Sequence, residues 1–141
     1  MKFATEFAVR FGEIDQAGVV YYPRFFHYFH QAFEEWFGQA LGVSYPDLVT
    51  KEKIGFPSVR VETEFTKPLR YGDRIRVEIE LVDVGRSSLT LRYVLIRLPD
   101  EVVSARATIK TVAIHHDSFT AVPIPDPWRK RFERFRAAPD R

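Results

Sequence analysis

The sequence contains no cysteine, which excludes disulfide bonds and thiolate metal sites and is compatible with a reducing compartment. No apolar run approaches the roughly 20 residues that a membrane-spanning helix requires, and the first residues do not show the pattern of a signal peptide. The net charge of +2 is too small to indicate a nucleic-acid partner by itself. We therefore expect a cytoplasmic protein with neither a membrane nor a nucleic acid as its partner.

Aromatic residues are the component in excess. They make up 15% of the 141 residues and include 13 phenylalanines, which gather in the first third of the chain. The hydrophobic fraction of 45% and the charged fraction of 28% are ordinary, and the length fits one domain over residues 1–141. The aromatic excess predicts either a large apolar element at the centre of the fold or a groove for an apolar ligand.

The first third of the chain predicts a strand followed by a buried helix. Residues 3–11 alternate between apolar and polar, as a strand does. Residues 23–41 place aromatic side chains three to four positions apart and on most sides of a helix, which is typical of a buried one. Pro23 suits the first helical turn, and Gly42 suits the end of the helix.

The rest of the chain predicts mostly strands. After one or two helical turns within residues 45–53, alternation returns at residues 59–65, 75–81, 89–95 and 103–109, and we expect these strands to form an antiparallel meander. One face of the sheet is polar, so only the other face is packed. The order predicts an α+β fold in which the central helix lies against a curled antiparallel sheet of about five strands.

The segment RFGEIDQAGVVYYP, residues 10–23, resembles the active-site signature of the 4-hydroxybenzoyl-CoA thioesterase family, and KPLRYGDRIRVE, residues 67–78, resembles that family's second landmark. The resemblance covers most of the chain and implies the hotdog fold. It also implies an acyl-CoA thioesterase, which needs no cofactor because coenzyme A is part of the substrate. Family members are generally dimers or tetramers with sites between protomers, so we expect a homodimer or homotetramer.

Three positions of the signature carry the family's chemistry. The resemblance assigns the catalytic carboxylate to Asp15, the close turn beside the thioester to Gly18, and the amide that faces the thioester carbonyl to Tyr22. A helix N-terminus suits a developing oxyanion, and a nearby carboxylate can act as a nucleophile or as a general base for water. Asp also caps turns, but the motif and its context favour catalysis. Pro23 stands where some relatives carry His, so a mechanism that uses that His is absent here.

The substrate contacts implied by the resemblance fall in three groups. The acyl pocket is expected on the central helix, the pantetheine channel at the start of a strand, and coenzyme A phosphates near a hairpin connection. For the hairpin group, ordinary turn chemistry is an equally good interpretation. The groups are, in that order, Phe26, His30 and Glu34; Phe56, Ser58, Val59 and Arg60; Arg86, Ser87 and Ser88.

Two further features admit simpler explanations than a binding site. His27 and His30 have a spacing that metal sites use, but no third ligand is evident, so we expect polar or interface residues and no metal. Residues 126–141 place Trp128, Phe132 and Phe135 on one stripe among basic residues, which predicts a short amphipathic C-terminal helix that packs on the domain. Contact with coenzyme A phosphates is the second interpretation of this tail, and RNA binding is a distant third.

Two other functions are compatible with a fold of this kind. A hotdog hydratase or dehydratase would carry a His and an acid near the central helix in a different motif, which is not found. A module that binds acyl-CoA or another metabolite without turnover is the second alternative, because fold alone does not fix function.

Glu13, two residues before Asp15, is expected to face solvent, although it could raise the pKa of Asp15 if it lay close.

Overall fold

A five-stranded antiparallel sheet curls around one central helix in the computed structural model, which describes residues 1–139. A smaller three-stranded sheet and two short helices complete the fold. The strands are β1 (Phe3–Ala8), β2 (Ile54–Gly55), β3 (Ser58–Phe65), β4 (Arg74–Val84), β5 (Ser88–Leu98), β6 (Val102–Val112), β7 (Ile114–His115) and β8 (Thr120–Ala121), and the helices are α1 (Pro23–Glu35), α2 (Tyr45–Thr50) and α3 (Asp126–Glu133).

The predicted hotdog architecture is confirmed: an antiparallel sheet of five strands, a central helix and a short C-terminal helix. The alternation within β4 is typical of the sheet, because Ile75, Val77 and Ile79 are fully buried while the residues between them are partly exposed. Side chains of a strand alternate between the two faces, so the apolar set covers α1 and the charged set faces outward.

The predicted four-strand meander is wrong in one respect. The order in the sheet is β1-β4-β5-β6-β3, so only β4, β5 and β6 follow one another as hairpins. β3 pairs with β6 at the far edge, and β1 pairs with β4. The alternation of a strand fixes its faces but not its partners, and residues 66–73 are long enough to carry the chain from β3 at one edge past β6 and β5 to β4.

Two element boundaries also differ from the sequence prediction. β1 ends at Ala8, and Phe11–Glu13 then form a 3-10 turn, so the strand does not reach residue 11. The helix runs to residue 41 as expected, but Trp36–Leu41 form a π-helical turn rather than α-helix. Gly42 ends it with φ +70°, a left-handed conformation that a glycine adopts without strain.

The C-terminal stripe packs on the domain, as its spacing predicts. The ring of Phe132 stacks on Trp36 with centroids 5.4 Å apart, and Phe135 meets the same indole edge-on at 5.6 Å. Arg131 and Arg134 donate hydrogen bonds of 3.0 and 3.1 Å to the carbonyls of Leu41 and Ala40, at the end of the π-helical turn. Two basic residues of this stripe therefore satisfy carbonyls that a helix end leaves unpaired.

Residues 140–141, the end of the predicted tail, lie outside the described part of the chain. Among residues 1–139, no helix combines the length and the apolar composition that crossing a bilayer requires.

Removal of the Phe132 ring tests how much the C-terminal helix contributes to stability. Phe132→Ala should lower the free energy of unfolding by about 3–5 kcal/mol, because the ring is 1% exposed and its loss leaves a cavity beside Trp36. Urea denaturation measures the change. The matched control is Phe119→Ala, at a ring that is 69% exposed, which should change the value by about 0.5 kcal/mol at most. Equal effects of the two substitutions would contradict the packing role of Phe132.

Candidate active site

The signature segment forms a compact loop at the N-terminus of α1. Ile14 and Val20 form a β-bridge, and between them the amide of Asp15 donates to the carbonyl of Val19 at 3.0 Å. The amide of Gly18 donates to the carbonyl of Asp15, also at 3.0 Å, which closes a tight turn. Gly18 has φ +82°, a conformation that L residues rarely adopt, so the glycine of the signature is required by the backbone.

The carboxylate of Asp15 lies half-buried at the head of this turn. Its Oδ1 accepts a hydrogen bond from the amide of Ala17 at 2.8 Å. Within residues 1–139 its second oxygen has no hydrogen-bond partner. Asp15 therefore does cap a turn, and the same contact holds the side chain in one orientation with an oxygen left over for chemistry.

The amide of Tyr22 lies where α1 begins. The neighbouring amide of Tyr21 donates to the carbonyl of Glu13 at 3.1 Å, and Pro23 has no N–H. No backbone acceptor among the described residues takes the N–H of Tyr22. An unused N–H at the positive end of a helix suits an oxygen that is becoming negative. The Tyr22 side chain is 60% exposed and meets the ring of Phe65 on β3 at 6.3 Å.

Glu13 is not a solvent-facing residue, contrary to the sequence expectation. Its Oε1 accepts hydrogen bonds of 2.7 Å from the hydroxyl of Tyr28 on α1 and from the amide of Arg10. The sequence gives no sign of this pair, because the two residues lie on different elements. Burial, and then the hydrogen bond to Glu13, raise the pKa of Tyr28, so the phenol remains a donor at neutral pH. The loop that carries Asp15 is thereby tied to α1.

A cavity of about 200 Å³ lies between α1 and the inner face of the sheet. Its opening is bounded by Ser58 and Val61 on β3. Six of its residues were not among the predicted contacts. Helical spacing and strand alternation place three of these six, Phe29, Phe33 and Tyr93, on inner faces. The cavity is lined by Phe26, Phe29, His30, Phe33, Phe56, Ser58, Val61, Tyr93, Ile109 and Thr111.

Four of the predicted substrate contacts line this cavity: Phe26, His30, Phe56 and Ser58. Glu34 does not, since it lies one turn beyond His30, with 3.5 Å between its carboxylate and the imidazole. Burial, and then the charge of Glu34, raise the pKa of Tyr45 to about 12. Glu34 therefore contacts His30 and affects Tyr45, but it does not line the cavity.

Val59 and Arg60 lie on β3 outside the cavity lining. Val59 is 59% exposed, and the guanidinium of Arg60 pairs with the carboxylate of Glu62 on the same strand. The irregular pairing of β3 with β6 between Ser58 and Arg60 separates these residues from Ser58, which lines the cavity. The predicted channel group is therefore divided between the cavity and the outer surface.

The predicted phosphate group forms the connection between β4 and β5. The amide of Gly85 donates to the carbonyl of Ser88 at 2.9 Å, and the amide of Ala113 donates to the carbonyl of Ser87 at 2.7 Å. Arg129 on α3 holds the turn by donating to the carbonyls of Gly85 and Arg86 at 2.6 and 3.1 Å. These backbone contacts are turn chemistry, and they leave the side chain of Arg86 exposed at the surface.

The histidines are not gathered into a metal site. Over the described range 1–139, no group of three or more His, Asp and Glu side chains has an arrangement that could hold a metal ion. His30 pairs with Glu34, and the ring nitrogen of His115 accepts from the amide of Asp117 at 3.3 Å. The absence of a metal from the working protein stays a prediction.

Substitution of Tyr28 tests the link between the loop and the helix. Tyr28→Phe should lower the free energy of unfolding by about 1.5–3 kcal/mol, because it removes a hydrogen bond to a charged group. The amide of Tyr21, which donates within the loop, should also exchange with solvent faster. Denaturation and hydrogen exchange measure the two effects. Tyr93→Phe is the matched control, a buried tyrosine whose hydroxyl has no hydrogen-bond partner among the described residues. A loss no larger than that of the control would refute the link.

Comparison with known proteins agrees with this architecture. The model of the thioesterase-like superfamily matches residues 9–132. A 1,4-dihydroxy-2-naphthoyl-CoA hydrolase of Thermosynechococcus vestitus is 33% identical over 120 residues, which are 84% of this chain and 80% of that protein. A 1,4-dihydroxy-2-naphthoyl-CoA thioesterase from Synechocystis has a crystal structure with a TM-score of 0.84 and 25% identity, covering 94% of this chain and 96% of the other.

A gentisyl-coenzyme A thioesterase is similar as well, with a TM-score of 0.82 and 28% identity over 90% of this chain and 99% of the other. These relatives confirm the predicted enzyme class, a thioester hydrolase. The matched segment contains the whole loop from Arg10 to Tyr22, the helix α1 and the strands β2 to β8. The chain therefore belongs to the thioesterase-like superfamily.

Proposed function

We propose that the protein hydrolyses an aromatic acyl-CoA thioester to the free acid and coenzyme A, as a member of the 4-hydroxybenzoyl-CoA thioesterase family within the superfamily. One observation carries the proposal. The half-buried carboxylate of Asp15 and the unused amide of Tyr22 belong to one rigid loop at the N-terminus of α1. A nucleophile or base and an oxyanion donor are the two groups that thioester hydrolysis requires.

The amide of Tyr22 receives the carbonyl oxygen of the thioester. As the carbonyl carbon becomes tetrahedral, negative charge develops on this oxygen, and the N–H and the helix dipole stabilise it. Pro23 contributes by offering no competing N–H and by fixing the first turn of the helix. The carbonyl stays polarised until the carbon–sulfur bond breaks and coenzyme A leaves as a thiolate, so no strong general acid is needed.

Asp15 serves the reaction by one of two routes. As a nucleophile, its free oxygen bonds to the acyl carbon, coenzyme A thiolate leaves, and water then hydrolyses the mixed anhydride to regenerate the carboxylate. As a general base, it takes a proton from water while that water attacks the carbonyl directly. The hydrogen bond from Ala17 orients the carboxylate for either route. Both routes consume one water and need no cofactor.

The aromatic acyl group occupies the cavity between α1 and β3. Phe26 lies four residues after Tyr22, about 6 Å further along the helix axis, so the cavity begins one turn from the oxyanion donor. Phe26, Phe29, Phe33 and Tyr93 give it flat apolar walls, which suit an aromatic ring. His30, at the rim of the cavity, is a polar group within reach of a ring hydroxyl. The relatives named for 1,4-dihydroxy-2-naphthoyl-CoA and gentisyl-CoA support an acyl group of this class.

Coenzyme A extends from the thioester to the outer surface of the protein. Arg86 is an exposed guanidinium on a turn whose backbone Arg129 fixes, and guanidinium groups bind phosphates in a bidentate manner. Ser87 and Ser88 are partly exposed on the same connection. We assign the phosphates to this connection and the pantetheine arm to the start of β3 at Ser58.

Substitution of Asp15 tests the proposed chemistry without disturbing the loop. Asp15→Asn keeps an oxygen that can accept from the amide of Ala17, so only the negative charge is lost. Thiol release from a panel of aromatic and aliphatic acyl-CoA esters should fall by roughly a hundredfold or more. Asp117→Asn, at an exposed turn, is the matched control and should keep full activity. Unchanged release in Asp15→Asn would remove Asp15 from the mechanism.

If no ester is hydrolysed by the wild-type protein, the proposed activity is wrong. Loss of an enoyl bond would then identify a hydratase, and tight binding without turnover would identify a binding module.

The exposed edge of the sheet favours a homodimer that forms through β3. β3 pairs with β6 on one side, and its other side has no neighbouring strand among residues 1–139. Val59, Val61 and Phe65 on this strand are 59%, 45% and 45% exposed, which is unusual for apolar residues on an open edge. Pairing with the β3 of a second copy would cover them and would place partner residues at the opening of the cavity near Val61. A tetramer would combine two such dimers.

A lysine on β3 tests this assembly. Val59→Lys should shift sedimentation velocity from dimer or tetramer toward monomer, because a charge on an edge strand opposes pairing with another strand. Phe119→Lys, at another exposed apolar residue, is the control and should leave the assembly intact. A monomeric wild-type protein, or equal behaviour of the two variants, would contradict an interface at β3.

A further inference from the structure

A second apolar cavity lies behind the wall of the first one. Its volume is about 250 Å³, comparable with the 200 Å³ of the cavity beside α1. It lies between the small sheet and the start of α3, where Ile54, Val122 and Trp128 form its sides. The two cavities share one residue of their linings, Phe56.

Because it belongs to both linings, the ring of Phe56 stands where the two cavities adjoin. It is 8% exposed, and its centroid lies 5.9 Å from that of Phe33 and 5.6 Å from that of Phe37 on the central helix. Its backbone is fixed on both sides, because Gly55 pairs with Ile114 and the carbonyl of Pro57 accepts from the amide of Val112 at 3.1 Å. The backbone that carries the ring therefore cannot shift without disturbing two sheets.

The lining of the second cavity is almost entirely apolar, so this space suits an extension of the acyl cavity rather than a separate polar site. Glu52, an exposed residue at its rim, is the one charged side chain in a lining that is otherwise apolar. A linear hydrocarbon chain is the ligand that fits such walls, once a path into them exists.

We propose that Phe56 is a specificity-determining residue that sets the length limit of the acyl group. This inference rests on the proposed function, because it takes the cavity beside α1 as the acyl site. With the ring in place, the acyl cavity ends at Phe56 and accepts a compact group such as an aromatic ring. Without the ring, the two cavities join, and a linear chain reaches the space between Val122 and Trp128.

The test compares chain-length profiles of wild-type protein and Phe56→Ala. The kcat/KM for thiol release is measured on a benzoyl-CoA ester and on linear acyl-CoA esters of increasing length, after the folded state of each variant is checked by circular dichroism. The wild type should prefer the compact ester. Phe56→Ala should raise the ratio of long-chain to benzoyl kcat/KM by roughly tenfold or more, since each buried methylene contributes about that factor.

A substitution in the second cavity is the matched control. Val122 lines the second cavity and not the acyl cavity, so Val122→Phe fills only the second space and alone should leave the wild-type profile unchanged. Combined with Phe56→Ala, it should cancel the gain for long chains. Phe56→Leu, which keeps a bulky apolar side chain, should give a profile between those of wild type and Phe56→Ala and serves if the alanine variant does not fold.

Binding separates failure of this inference from failure of the proposed function. Dissociation constants for non-hydrolysable thioether analogues of the same acyl-CoA series should show the same shift in preference, whether or not the esters turn over. Wild-type hydrolysis with an unchanged length profile in folded Phe56→Ala and Phe56→Leu would overturn the role of Phe56 alone. An absence of both hydrolysis and analogue binding in the wild type would overturn the acyl site and this inference together.

Discussion

Burial of the aromatic side chains of the central helix is the constraint on which the rest of this structure depends. Tyr28, Phe29, Trp36 and Phe37 are at most 1% exposed, and they do not share one face of the helix. A helix that is apolar on most sides needs cover on every side. The five-stranded sheet covers one side, and α3 and the small sheet cover others. His27 and His30 lie on the exposed part of the helix, and its N-terminal end adjoins the loop that carries Asp15.

Backbone hydrogen bonds join the loop at the N-terminal end of the helix to the second sequence landmark, residues 67–78. The amide of Val20 donates to the carbonyl of Leu69 at 2.8 Å, and the amide of Val9 donates to the carbonyl of Asp73 at the same distance. The Glu13 carboxylate adds a link to the helix itself. A rigid frame of this kind allows one carboxylate and one amide to keep a fixed relation, which electrostatic stabilisation of a transition state requires.

The C-terminal helix protects the opposite end of the central helix. Arg131 and Arg134 supply donors to the carbonyls of the last helical turn, while the Phe132 ring closes the apolar surface beside Trp36. Cationic side chains are favourable at a helix C-terminus, because the dipole is negative there. The basic tail thus has a structural explanation, because its side chains complement the negative end of the helix dipole.

The sequence alone determined the α+β class, the central helix, the alternating faces of the strands and the loop with Asp15, Gly18 and Tyr22, because period and local turn chemistry are encoded by neighbouring residues. Of the cavity residues on the helix, Phe26 and His30 were predicted from the family resemblance, whereas Phe29 and Phe33 were not. Strand partners, the Glu13–Tyr28 hydrogen bond and the position of Phe56 where the two cavities adjoin were decided by the tertiary structure. Each of these joins residues that are distant along the chain, and alternation or composition cannot specify which distant residue a side chain meets.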